Sequence, residues 1–298
     1  MQGTGLFLLY KERGMTSQAA VTRVKRLFGV TKAGHTGTLD PMAEGVLPIL
    51  LGRAVKASDF LLSGEKHYEA TLRLGITTDT EDTTGKVLSE TDRLPTEAEV
   101  LTAVNALRGE SLQTPPMYSA LKVNGKKLCD LARRGETVER EARPITVYDI
   151  RAERIDARDY RLTVHCSKGT YIRTLCADIG RALGVGGVMA SLTRTEAAGF
   201  PLSRAITLSA LEETPEEKRD GLLIPLEEIF KNERRVTLPD FYARLAHAGA
   251  PLYQRKLGVS IPEGERVALY DREGFFALAQ SVRDEDEPML RSLRLFRL

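Results

Sequence analysis

The sequence predicts an α+β fold, and three stretches carry that expectation. "HYEATLRLG" alternates in the period-two pattern of a half-buried strand, with Tyr68, Ala70, Leu72 and Leu74 on one face and Glu69, Thr71 and Arg73 on the other. "RPITVYDIRAERI" and "YRLTVHC" then read as a strand pair. Directly after them, "SKGTYIRTLCADIGRALG" switches to the helical period, with Ile172, Leu175, Cys176, Ile179 and Leu183 on one stripe. Strands with hairpin-like neighbours, mixed with helices, describe an α+β sheet domain.

In chain order, "GLFLLY" is a short strand. Ser17 caps a helix whose residues Ala20, Val21, Val24, Leu27 and Phe28 keep the helical period and which Gly29 ends. "GHTGTLDPMAEGVLPILLG", residues 34–52, leaves two readings of Asp40 open. Asp is a favoured N-cap and Pro a favoured first helical residue, so Asp40-Pro41 opens a helix, or else the carboxylate does chemistry. Tyr68 points inward at the end of its strand, and Arg173 sits beside the later helix's apolar stripe, in its first turn. "PPMYSALKVNGKKLCDLARRGETVEREARP" is bracketed by prolines, rich in Lys and Arg and poor in large apolar residues. Such a stretch, about residues 116–144, is a surface insertion able to grip something anionic. "EETPEEKRDG" and "KNERRVTLPD" mark a boundary between a domain at 1–230 and a small, mainly β module at 236–298. Within that module a hairpin turns at Arg272-Glu273-Gly274, and "LRSLRLFRL" alternates as a closing strand.

The 298 residues suffice for one large domain and a smaller one. Cys129, Cys166 and Cys176 form no CxxC pair, and the four histidines, at 35, 67, 165 and 247, have no metal-ligand spacing. Neither a disulfide framework nor a metal site is expected. The apolar run near the start is too short for a signal peptide and no stretch is long enough to span a membrane, so a cytoplasmic protein is expected. Net charge is only +2, but residues 1–64 hold eight Lys/Arg against four Asp/Glu, and residues 117–144 seven against four. A nearly neutral protein of this kind can still present a basic face to nucleic acid.

Six segments, "YKERGMTS", "GHTGTLDPMAEGVLPILLGRAVK", "KHYEATLRLGITTDTEDTTG", "PPMYSALKVNGKKL", "RPITVYDI" and "SKGTYIRTL", resemble in order and spacing the bacterial tRNA pseudouridine synthases of the TruB family. The resemblance covers most of residues 6–230, while residues 236–298 resemble that family's PUA-like RNA-binding domain mainly by position. It departs at Tyr10-Lys11-Glu12-Arg13, where many relatives carry Asp-Lys-Pro, and at Cys129, where an aromatic is frequent.

The implied fold is a mixed, largely antiparallel central sheet flanked by helices, the pseudouridine synthase fold, with a small C-terminal β-rich PUA-like domain. The implied activity isomerises one uridine in the T loop of tRNA, position 55, by breaking N1–C1′, turning the base and joining C5 to C1′. No cofactor and no metal is implied, the partner is the T arm of tRNA, and no membrane or obligate protein partner is expected. Asp40 matches the family's catalytic aspartate, Arg173 the arginine that pairs with it, and Tyr68 the tyrosine that stacks on uracil. Tyr171 and Leu192 match pocket walls, and His35 the histidine that enters the T loop. Two alternatives stand beside this reading: a non-catalytic tRNA-binding or folding protein, and a guide-RNA-dependent pseudouridine synthase subunit.

Overall fold

A computed structural model describes residues 3–62, 64–123, 125–284 and 287–297. Residues 1, 2, 63, 124, 285, 286 and 298 lie outside it, and with them both ends of the expected domains, Asn124 of the insertion and Leu298 of the closing strand.

The alternating and apolar stretches build one large mixed sheet. Its strands run in the order Gly5–Lys11, Glu44–Leu51, Gly187–Ala197, Lys66–Leu74, Asp159–Cys166, Arg143–Arg154 and Gly109–Gln113. Every pairing along this path is antiparallel except that of Gly187–Ala197 with Glu44–Leu51. Short strands Ala33–His35 and Phe200–Pro201 pair with Glu44–Leu51 and Gly187–Ala197 respectively. The inward positions of Lys66–Leu74, including Tyr68, are buried and the alternate positions Glu69 and Arg73 exposed, as the period-two pattern requires. Glu44–Leu51 carries a continuous apolar run instead, because it lies inside the sheet with both faces covered.

One face of the sheet packs beneath the helices Ser17–Leu27, Glu97–Asn105 and Ile172–Ala182, where Val21, Val24, Val100, Val104, Leu175 and Ile179 meet Leu9, Leu47, Ala70, Leu162 and Val164. The other face, at Leu6, Leu8, Val46 and Leu50, packs through Phe200 and Phe230 onto Leu278 and Phe296. Those last two residues belong to the C-terminal part, a five-stranded sheet in the order Arg234–Thr237, Arg266–Asp271, Gly274–Asp284, Glu287–Leu295, Leu252–Tyr253. The expected hairpin at 272–274 is present, and so is the closing strand. The helix Asp240–His247 packs on this sheet through Ala243 and Ala246.

Two local expectations are corrected. Asp40-Pro41 opens no helix: the amide of Ala43 donates to the Asp40 carbonyl at 3.0 Å, closing a turn, and the chain passes directly into Glu44–Leu51. The cap residue types are the same ones that favour turns, so the local signal could not separate the two. The helix Ser17–Leu27 is capped not by Ser17 but by Thr16, whose hydroxyl accepts from the Ala19 amide at 3.1 Å. Ser17 is buried and does something else.

Candidate active site

The Ser17 hydroxyl donates to the Leu39 carbonyl at 2.9 Å and accepts from the Leu39 amide at 2.8 Å, pinning the residue before Asp40. The rest of the loop is fastened just as closely. Gly14 donates its amide to the Pro41 carbonyl at 2.8 Å, the buried Lys11 ammonium donates to the Ala43 carbonyl at 2.6 Å, and the Thr36 amide donates to Pro48 at 3.1 Å. Asp40 is therefore held by its neighbours' hydrogen bonds on a loop that has no secondary structure of its own, which presents its carboxylate in one place.

Arg173, second residue of the helix Ile172–Ala182, brings its Nε to within 3.1 Å of Asp40 Oδ2. The arginine side chain is 5% exposed and the aspartate 32%, so the pair is half-open to the cleft from the acid's side only. The remaining guanidinium donors reach the Thr80 carbonyl at 3.0 Å, the Tyr118 carbonyl at 2.8 Å and Asp82 Oδ2 at 3.5 Å. Asp82 is buried and is gripped in turn by the hydroxyls of Thr80 and Thr84 at 2.8 and 2.6 Å and by the Thr84 amide at 2.9 Å. Burial pushes the Asp40 carboxyl above the usual carboxylate range against the pull of Arg173, and Asp82 adds to the rise.

Behind this pair stands Tyr68, buried on its strand directly opposite Arg194 of Gly187–Ala197. Burial raises the phenol's pKa and the neighbouring Arg194 opposes the rise. Leu192, two residues before Arg194, is buried beside them. Tyr171 occupies the cap position of the Arg173 helix, its backbone held by the Gln113 side chain, which accepts from the Tyr171 amide at 2.8 Å and donates to its carbonyl at 3.1 Å. His35 ends the strand Ala33–His35, and its Nδ1 accepts from the Gly37 amide at 3.3 Å. Burial and the charge of Arg194 push the imidazole toward its neutral form.

These side chains meet in one cavity of about 390 Å³, lined by His35, Asp40, Tyr68, Tyr171, Arg173 and Leu192 together with Lys66. A second cavity of about 770 Å³ shares His35, Asp40 and Arg173 and extends past Thr16, Pro41 and Tyr118 to Lys127, Cys129 and Arg133. All six residues singled out from the sequence are thus brought together, with Asp40 at the junction of a small inner chamber and a wider outer cleft. Each chamber is of a size that holds a small organic ring or nucleoside.

Sequence reasoning missed Asp82, Lys11, Gln113 and Arg194, and gave Ser17 only a capping role. Asp82 had a visible signal in "TTDTEDTTG", since threonines two residues either side of an acid are placed to hydrogen-bond its carboxylate. The others gave none, because their burial is created by distant strands.

The comparisons with known proteins agree along the chain. Residues 25–172 match the model for the TruB family pseudouridylate synthase N-terminal domain, and residues 173–231 that for the tRNA pseudouridylate synthase B C-terminal domain. The tRNA pseudouridine synthase B of Aromatoleum aromaticum is 48% identical over 83% of this chain and 80% of its own. Those of Clostridium tetani and Alkaliphilus oremlandii are 40% and 41% identical, over 94% and 98% of this chain and 96% and 98% of theirs. Among solved structures, a Cbf5-Nop10-Gar1 complex matches with a TM-score of 0.74 at 27% identity, over 99% of this chain and 85% of that one. An H/ACA RNP bound to a substrate RNA containing 2'-deoxyuridine matches with a TM-score of 0.73 at 25% identity, over 99% and 86%. The mixed sheet, the cavity it carries and the two family models converge, and the chain belongs to the TruB family of pseudouridylate synthases.

Proposed function

We propose that this chain isomerises a uridine in the T loop of tRNA, position 55, to pseudouridine. The observation that carries the reading is the Asp40–Arg173 pair at the junction of the two cavities, with one face of the acid open and Tyr68, Tyr171 and Leu192 enclosing the chamber beside it. The reaction breaks N1–C1′, turns the uracil while it is held, joins C5 to C1′ and releases the C5 proton. It is redox-neutral and takes nothing from a donor, so what the protein must supply is an anion at the right moment and walls that keep the freed base from water.

Asp40 supplies the anion, attacking ribose or base or removing a sugar proton. Arg173 holds it ionised against the cost of burial. Tyr68 stacks on the uracil, and Tyr171 and Leu192 close the chamber around it. A stacked base must first be flipped out, at a cost of a few kcal/mol that protein contacts repay, and His35 at the cavity mouth takes up part of the lost stacking. The segment at about 116–144, whose Lys127 and Arg133 line the outer cleft, closes over the T arm, and the C-terminal sheet at 236–298 serves as a PUA-like RNA-binding module beside a catalytic domain at 1–230. We place the activity in the cytoplasm, and no helix among the described residues is long and apolar enough to cross a membrane.

The likeness to an H/ACA RNP keeps the guide-dependent alternative in view, but identities of 40–48% to tRNA pseudouridine synthase B proteins favour a chain that acts alone. The test is incubation of the purified chain with an unmodified tRNA transcript and mapping of pseudouridine by position. A single new pseudouridine in the T loop is expected. Conversion that appears only when a guide RNA is added sinks this reading.

A further inference from the structure

Among the described residues, four side chains bury a polar atom without a hydrogen-bond partner, at Thr36, Ser119, Arg140 and His247. Of these only Ser119 lines the two cavities of the candidate site, and it lines both. It is 4% exposed, and its hydroxyl adjoins the Tyr171 side chain without reaching hydrogen-bond geometry. Leaving a buried hydroxyl unpaired is costly, and an alanine here would avoid the cost. The backbone around it is set on both sides. The Tyr118 carbonyl accepts from Arg173 at 2.8 Å, and the Ser119 carbonyl accepts from the Cys129 amide at 3.0 Å. Ser119 is thereby fixed next to Arg173, at the junction of the cavities where Asp40 also stands.

We propose that Ser119 is a specificity-determining residue, whose hydroxyl hydrogen-bonds the ribose 2′-hydroxyl of the target nucleotide. This role rests on the functional reading above. With the uracil in the inner chamber and the RNA chain in the outer cleft, the sugar that joins them must lie at the junction. Asp40, which serves the glycosidic bond at C1′, lines that junction too. The 2′-hydroxyl stands on the carbon next to C1′ and so enters the same space. Serine suits it, since each hydroxyl both donates and accepts. One turn about χ1 between staggered rotamers carries the serine oxygen from the wall toward the cavity without moving the backbone. The nucleotide then supplies the partner that the protein does not, and a deoxyribose, which cannot, leaves the serine unpaired.

The test crosses Ser119→Ala with tRNA ligated around either uridine or 2′-deoxyuridine at the target position. It reads conversion efficiency, the single-turnover rate constant over the half-saturating concentration, beside thermal melting. S119A is expected to lose about threefold to tenfold in efficiency on the ribose substrate, the worth of one hydrogen bond between uncharged groups. On the deoxy substrate, where the partner is already gone, the loss is expected to stay below about twofold. The melting midpoint is expected to stay level or rise, because no partner within the protein is lost. Unchanged efficiency on the ribose substrate, an equal loss on both, or a lowered midpoint would overturn the proposal. If neither chain converts the deoxy substrate, competition binding of the two tRNAs decides: S119A should narrow the preference for ribose, and an unaltered preference disproves the contact. An unaltered chain that forms no pseudouridine in the ribose tRNA defeats the functional reading instead, so the two failures are distinguishable.

Discussion

Asp40 caps nothing, and Asn in its place keeps the shape and the turn. Asp40→Asn is therefore expected to melt within a few degrees of the unaltered chain and to bind tRNA normally, while single-turnover conversion disappears because an amide is neither anion nor base. Near-normal conversion would remove Asp40 from the chemistry. The pH dependence carries a sign of its own. Burial holds the Asp40 carboxyl above the usual carboxylate range, so it keeps its proton to higher pH than an exposed acid. Conversion that needs the anion should then fall on the acid side starting above that range, and a single-turnover pH profile whose acid limb sits at an ordinary carboxylate pKa would contradict the assignment. At this scale the sequence was legible where a motif was local. Asp40, His35, Tyr68, Tyr171 and Arg173 each sit in a recognisable stretch, whereas the burial of Arg194 and Lys11 arises only when strands far apart in sequence close over them.

The helix Ser17–Leu27 does two jobs through adjacent residues, and the jobs separate by substitution. Thr16→Ala removes a cap and should cost about 1 kcal/mol of stability, with a smaller loss of conversion than Ser17→Ala. Ser17→Ala leaves the Leu39 amide and carbonyl without their partner, costing about 1–3 kcal/mol, and should also slow conversion because the loop before Asp40 loosens. Melts and rates measured on both variants check this, and equal rate losses would mean the loop is not what Ser17 serves. In the C-terminal hairpin, burial pushes the Asp271 carboxyl up, but hydrogen bonds from Arg297, His247 and the Glu273 amide outweigh it and hold it down at about 2. A depressed acid stabilises the fold above its unfolded pKa, and that contribution is lost as pH falls from 3.8 toward about 2. Asp271→Asn should flatten acid-induced unfolding over that window, read by far-ultraviolet circular dichroism. Elements were legible from the sequence by period. Lys66–Leu74 and Ile172–Ala182 were plain, but the turn at Asp40-Pro41 was not, since turns and caps select the same residues.

For the whole molecule, net charge is only +2, and Lys127 and Arg133 line the outer cleft where the proposed function brings RNA. An isolated T-arm hairpin should be converted, and its affinity should fall steeply as salt rises, as phosphate contacts require. A flat salt response measured by filter binding would leave that rim as ordinary surface. The order of strands was beyond sequence reading, because it depends on which distant segments pair. Gly187–Ala197 lies between Glu44–Leu51 and Lys66–Leu74, joining strands made more than a hundred residues earlier. A ribosome delivers the chain from its N-terminus, so the first strands emerge as two pieces with bare edges and wait for their joint. Tyr68 and Asp40 come into register only when residue 194 has left the exit tunnel, so a nascent chain stalled short of that point has the residues of the site but no site.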